Sequence, residues 1–290
     1  MLPLSPITVG FMRMGQWGLN RAALRDWIGT VLDLGITSFD HADVYGDYGV
    51  EDAFGEALAL QPAQRDRMQL ISKVGVQRVS PGNPGVWHMH YDLSGAHILA
   101  TVEASLRKLR TDRLDLLLLH RPDPLMRAEE VADAFDRLQA AGKVLHFGVS
   151  NFAASRVRAL QRVLAQPLLV NQVEISLERP DAIWDGTLDS CQELGLTPMA
   201  WSPLGGGGLF RDDPARAGLR QALREVADAY GAAPDQIALA WLLAHPAGIR
   251  CVVGTGRLDR LRGAVHAQSI QLDRQNWYKL LAAAEGRQVP

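Results

Sequence analysis

Cysteine is nearly absent from this 290-residue chain: Cys191 and Cys251 are the only two, far apart and without ligand spacing. That excludes a disulfide framework and a cysteine-based zinc site, and points to a reducing compartment. Positive charge is not in excess either, with 30 Lys and Arg against 32 Asp and Glu and a formal net charge of -2. Neither nucleic acid nor an anionic membrane is offered a basic field, so a compact small molecule is the expected partner. Long apolar runs are missing too. Residues 116–119 form the longest aliphatic run, far short of the ~20 residues that cross a bilayer. The opening "MLPLSPITVG" carries no basic residue ahead of its apolar positions, so no secretory leader is expected and the cytoplasm is the expected location. What is there, 47% hydrophobic and 21% charged residues, is the composition of a folded globular protein.

Eight short apolar runs rich in branched residues alternate with longer segments of helical period. The predicted strands are "ITVGFMR" from Ile7, "ITSFD" from Ile36, "MQLISK" from Met68 and "LDLLLLH" from Leu114, then "VLHFGVS" from Val144, "LLVNQ" from Leu168, "LTPMAWS" from Leu196 and "IRCVVG" from Ile249. Between them lie segments such as "AEEVADAFDRLQAAGK", where Val131, Ala134, Phe135 and Leu138 share one helical face and Gly142 ends the helix. Strand then helix, eight times, closes into a (β/α)8 TIM barrel, here a single α/β domain over residues 1–290. An open doubly wound sheet would carry G-x-G-x-x-G after its first strand, where this chain reads "GFMRMGQWG". Residues 74–94 and residues 203–214 exceed ordinary loop length and, with the tail after Arg287, are expected at the substrate rim. Met14, Trp17, Trp87 and the tail near Pro290 are candidate apolar rim residues.

Active sites of such barrels form at the carboxyl ends of the strands. Strand two ends in Asp40 and leads to Tyr45, strand three ends in Lys73 and strand four in His120. A carboxylate ending an apolar strand is costly unless it has a partner. Lys73 is that partner, kept charged and aimed by Asp40. A lysine ammonium beside a phenol favours the tyrosinate, so the ~10 of an ordinary tyrosine is expected to fall toward the range of a general acid. Such a phenol suits protonation of a carbonyl oxygen, with His120 orienting the carbonyl. The "WHMH" stretch offers only an H-x-H pair with no third ligand, so no metal site is expected there, and the electrons must come from a bound cofactor.

The later strands offer a place for one. Ser150, Asn151 and Gln172 carry groups suited to a carboxamide, and Trp201 offers a flat face, although core packing of the tryptophan and loop capping by the amides remain open. "GTGRLDR" follows strand eight. Its glycines let backbone N–H groups approach an anion at a helix start, and Arg257 and Arg260 could clamp a phosphate or form a solvated basic turn.

Taken in order, "FDHADVYG", "ISK", "LLLLHRPDP", "GKVLHFGVSNF", "NQVEIS", "AWSPLGGG" and "VVGTGRLDRL" resemble the aldo-keto reductase superfamily over nearly the whole chain. "HRPDPLM", "EVADAF" and the "VP" terminus are most similar to a bacterial branch of poorly characterised reductases. The resemblance implies a catalytic tetrad of Asp40, Tyr45, Lys73 and His120, with Tyr45 as proton donor. It implies that Ser150, Asn151 and Gln172 hold a nicotinamide carboxamide and that Trp201 stacks on the ring. Ser202, Leu204 and Gly206 would run along the pyrophosphate, with Thr255 and Arg260 at the adenosine 2′-phosphate. Two residues depart from the pattern: Gly254 stands where many members have a phosphate-binding lysine, and His41 replaces the usual threonine. The first weakens NADPH against NADH, with Arg257 as compensation.

The expectation is therefore a monomeric NADPH-dependent reductase, with NADH possible, acting on a small-molecule aldehyde or ketone. The alternatives are a non-catalytic nicotinamide-sensing regulatory subunit, which lacks its expected apolar patch or targeting extension, and a sugar-phosphate isomerase, which leaves Asn151, Gln172 and Trp201 without a task.

Overall fold

The computed structural model describes residues 2–288. Ten strands occur among them: β1 (Ile7–Gly10), β2 (Ser38–Asp40), β3 (Gln69–Val74), β4 (Val76–Gln77), β5 (His90–Tyr91), β6 (Leu114–Leu119), β7 (Val144–Ser150), β8 (Leu168–Glu174), β9 (Thr197–Trp201) and β10 (Arg250–Val253). All but β4 and β5 close into one parallel barrel in the order β1-β10-β9-β8-β7-β6-β3-β2. These eight are the runs expected from sequence, most of them trimmed at the ends where side chains leave the wall.

Alternation along each strand separates two cores. Ile71, Leu116, Leu118, Val170, Met199 and Val252 point inward and fill the barrel. Val9, Phe39, Leu70, Leu117, Phe147 and Ala200 point outward to the helices. Gly148 shows how tightly the inside is filled, since a Cβ there would lie 2.7 Å from Leu118 Cδ2 and 2.8 Å from the Val170 carbonyl oxygen. The segment read as a helix ending at Gly142 is one, Ala128–Ala140, with Gly142 at φ 69°. No helix among the described residues is long and apolar enough to cross a membrane.

The long segment at 74–94 is partly ordered by pairing. β4 and β5 form an antiparallel hairpin, and Val76 packs with Ala42 and Val44 while Tyr91 joins Tyr45 and Tyr48 against them. The loop thereby buttresses the turn that carries Tyr45. At the far end of the chain, the helix Arg274–Glu285 is held by a pair of tryptophans. Trp241 and Trp277 stack at 5.1 Å, and each indole N–H donates to the other's carbonyl. The expectation for the tail near Pro290 lies outside the described residues.

Candidate active site

Asp40 ends β2, Lys73 lies near the end of β3 and His120 follows β6, so neighbouring strands deliver three groups to one rim. Lys73 is 1% exposed. Its ammonium donates to Asp40 Oδ1 and Oδ2 at 2.7 Å each, to the His41 carbonyl oxygen at 2.8 Å and to Tyr45 Oη at 3.1 Å. Burial alone would push the ammonium down, but Asp40 and Tyr45 together hold its pKa above the ordinary value. Lys73 is thus a permanent cation, and a buried ion pair of this kind is tolerated only when its hydrogen bonds are this complete.

The Tyr45 phenol corrects the expectation from sequence. Burial pushes its pKa up, and the Lys73 ammonium and hydrogen bond, opposed by Asp40 and Asp43, offset only part of that rise. The phenol therefore holds its proton at neutral pH. Desolvation was the part that sequence could not weigh, because it depends on how completely the barrel mouth encloses the ring. His120 stands edge to face with Tyr45 at a centroid distance of 6.0 Å. Burial, then Lys73 and Arg121, lower its pKa well below the usual histidine value, so it is neutral. Its Nδ1 is buried without a partner among the described residues.

A second set of polar groups runs from β9 back to this cluster. Trp201 Nε1 donates to Asn151 Oδ1 at 3.0 Å, Asn151 Nδ2 to Ser150 Oγ at 2.8 Å, and Ser150 Oγ to the Gln172 carbonyl oxygen at 2.8 Å. Gln172 Nε2 then donates to Asp40 Oδ1 at 2.9 Å. Asn151 takes a left-handed conformation, φ 61°, to reach both neighbours. The three residues expected to hold a carboxamide are thus already bound to one another and to Asp40.

A cavity of 670 Å³ opens over both sets, within the range of about 300–1,000 Å³ common for small-molecule sites. Asp40, Tyr45 and His120 line its floor beside Ser150, Asn151, Gln172 and Trp201, while Lys73 lies buried behind them. Ser202, Leu204 and Gly206 line one wall, and Gly254, Thr255 and Arg260 another. The wall at residues 205–208 could not be built from larger residues. Gly206 and Gly207 have φ of 61° and 92°, and a Cβ on Gly205 would fall 2.1 Å from Glu178 Oε2. An extended ligand with an aromatic ring at one end and phosphate at the other fits this donor set. Trp201 supplies a ring face, the glycine wall brings backbone close, and Arg260 and Thr255 lie at the start of the helix Leu258–His266.

Other expectations are corrected. Arg257 does not line the cavity: it is solvent-exposed and pairs with Asp259, Nη2 to Oδ2 at 2.6 Å. Gly256 serves packing, because a Cβ there would meet Trp17 at 2.6 Å. Trp17 is taken up by Phe11 and Trp27, at 5.4 and 4.9 Å, and Met14 is core, so neither is a rim residue. Trp87 is 90% exposed over a separate surface hollow with His88 and His90. Among the described residues no group of three or more His, Cys, Asp or Glu is placed to hold a metal. His41 is fully buried, stacked on Phe11 at 4.2 Å with both ring nitrogens unpartnered among the described residues, and burial keeps it neutral. Arg13 and Arg121 line the cavity and were missed. Both sit in quoted motifs, "FMRMG" and "HRPDP", three residues past the end of β1 and two past the end of β6.

Comparison with known proteins gives the same frame. The model of a family described as Aldo/keto reductase family matches residues 6–285. The oxidoreductase YdhF of Escherichia coli is 45% identical over 99% of this chain and 95% of its own length. A 6-dehydroglucose reductase of Agrobacterium fabrum is 42% identical over 99% and 97%. The crystal structure of an aldo/keto reductase from Klebsiella pneumoniae in complex with NADP and acetate superposes with a TM-score of 0.75 at 30% identity, covering 96% of this chain and 90% of that one.

Proposed function

The chain belongs to the aldo/keto reductase family, and from that premise we propose that it reduces an aldehyde or ketone to the alcohol with NADPH, Tyr45 giving the proton. One observation carries the reading: a run of hydrogen bonds that links Trp201, Asn151 and Ser150 to the Gln172 backbone and, from the Gln172 side chain, reaches Asp40, Lys73 and Tyr45, on and just behind the floor of one cavity.

Bound NADPH supplies a hydride to the carbonyl carbon. Trp201 would hold its ring, Ser150, Asn151 and Gln172 its carboxamide, Ser202, Leu204 and Gly206 its pyrophosphate, and Thr255 and Arg260 its 2′-phosphate. The complex of the Klebsiella neighbour with NADP supports the cofactor class, and the name of the Agrobacterium relative supports a carbonyl substrate.

The chain's own residues handle the proton. Tyr45 Oη–H donates to the carbonyl oxygen as that oxygen takes up the electron pair of the C=O bond. A developing alkoxide is a far stronger base than a phenolate, so a phenol with a raised pKa is still a competent donor. The phenolate left behind lies 3.1 Å from the Lys73 ammonium, whose fixed charge stabilises it. Asp40 fixes that ammonium, and neutral His120 orients the carbonyl oxygen without competing for the proton. A binding subunit without chemistry would leave this buried ion pair without a purpose, since burying it costs stability.

NADPH is preferred over NADH because Arg260 faces the cavity, even with Gly254 in place of a lysine. Free, buried Cys191 and Cys251 support a reducing compartment, the cytoplasm, and we take the protein as a monomer. Gel filtration with light scattering tests that state. The functional test is loss of nicotinamide absorbance with NADPH and with NADH over a panel of aldehydes and ketones. Oxidation of neither cofactor would sink the reading; an Arg260→Met variant should weaken NADPH binding about tenfold or more and leave NADH nearly unchanged.

A further inference from the structure

Three arginines line the cavity: Arg13, Arg121 and Arg260. Arg260 stands at the phosphate end. Arg13 reaches the glycine wall, its Nη1 3.5 Å from the Gly206 carbonyl oxygen. Arg121 has no such engagement. It follows His120 directly, faces the cavity, and makes no side-chain hydrogen bond or ion pair among the described residues.

It stands over an aromatic face: the guanidinium carbon lies 5.7 Å from the centre of the Trp201 ring. Asp40, the carboxylate on the same floor, is already neutralised by Lys73. Asp235, the other acidic residue on the lining, begins the helix Pro234–Leu243, which packs against the helix that carries Arg260. The guanidinium is near enough to lower the basicity of His120, after burial and Lys73, and no side chain among the described residues answers its charge. An anion arriving with the substrate would do so, and a planar carboxylate matches the paired N–H groups of one arginine.

Building on the carbonyl-reductase reading, we propose that Arg121 selects carbonyl substrates that carry a carboxylate a short distance from the reacting carbon. Because Arg121 is adjacent in sequence to His120, the anion and the carbonyl must be close in the same molecule. This favours short oxo acids and carboxylated aromatic aldehydes over neutral aldehydes of equal size. A neutral polyhydroxylated carbonyl is the competing class, since hydroxyls also accept hydrogen bonds from arginine.

The test compares 4-carboxybenzaldehyde with its methyl ester, and succinic semialdehyde with butanal and with glyceraldehyde, at saturating NADPH. Wild-type kcat/KM should favour each acid about tenfold or more, chiefly through KM, and the preference should shrink with added salt. In Arg121→Met the acid-to-neutral ratio should fall to about one, and Arg121→Lys should restore part of it. Circular dichroism and NADP binding of the variants check that the fold and the cofactor site persist. Equal rates on acids and neutral partners, a preference for glyceraldehyde, or a uniform loss on all substrates in Arg121→Met would overturn the proposal and leave carbonyl reduction standing. If no carbonyl is reduced at all, benzoate binding in the presence of NADP decides. Binding by wild type and not by Arg121→Met keeps the anion site and rejects the reductase reading; no binding by either rejects both.

Discussion

Gln172 Nε2 donates to Asp40 Oδ1 at 2.9 Å, joining residues 132 positions apart. Gln172 on β8 belongs to the proposed carboxamide group and Asp40 on β2 to the proposed proton-donating group, so this bond, beside the longer one from Asn151 Nδ2 to the His120 carbonyl oxygen at 3.5 Å, couples the two halves of the site. Removing it should disturb both. Gln172→Leu is expected to weaken NADPH binding and lower kcat, each by about tenfold, because Asp40 loses a donor that fixes its orientation. Fluorescence titration and steady-state rates measure the two separately. Loss of only one would mean that the halves act independently.

Beside its proposed part in the chemistry, Lys73 is expected to hold stability. In Lys73→Met the Asp40 carboxylate, 2% exposed, stays buried without its cation. The expected cost is about 3–5 kcal/mol by urea unfolding, along with loss of turnover. Adding Asp40→Leu should recover much of the stability and none of the activity. A double variant as unstable as Lys73→Met would show that the ion pair is not the source of the loss.

Neither Tyr45, the proposed proton donor, nor His120, which would orient the carbonyl, titrates near neutrality. The Tyr45 pKa lies above the ordinary phenol value and that of His120 well below 6.5. Carbonyl reduction at saturating substrate should therefore be nearly flat from about pH 6 to pH 9. An inflection near 6.5 in kcat would assign a titrating role to His120.

Asp43 is buried beside Glu51, and burial first, then the Glu51 charge, pushes its pKa up to about 8. The folded state thus holds a proton that the unfolded chain releases above the ordinary carboxyl value. Folding stability should fall as pH rises from about 4 to 8, with the penalty nearly complete at the top of that range. Asp43→Asn should remove this slope and raise the melting temperature more at pH 8 than at pH 5. Glu51, with its own raised pKa, Lys108 and Lys73 face the same group and set what remains. A gain independent of pH would contradict the assignment.

The barrel was legible because most of its strands lie in buried apolar runs such as "LDLLLL", and the candidate rim groups could be placed from the residues at the ends of those runs. Asp40, Lys73 and His120 needed no more than that. What stayed hidden depends on enclosure and on loop paths. The direction of the Tyr45 shift turns on desolvation, which no spacing reveals. Arg257 and Arg260 are three positions apart, yet only Arg260 of the two faces the cavity: Arg257 lies in extended backbone just before the helix and pairs with Asp259 in solvent, whereas Arg260 lies within its first turn. Met14 and Trp17 looked like rim residues, but the turn after β1 folds them inward against Phe11 and Trp27. The hairpin of β4 and β5 is two residues per strand, too short for alternation to show.

The central claim is that one phenol, held beside a buried ammonium, delivers the proton. Single-turnover reduction of an aldehyde by Tyr45→Phe, with NADPH binding followed by fluorescence, tests it most directly. The account predicts a fall in rate of about a hundredfold or more with NADPH affinity within about threefold of wild type. A variant that reduces the aldehyde at the wild-type rate would contradict it.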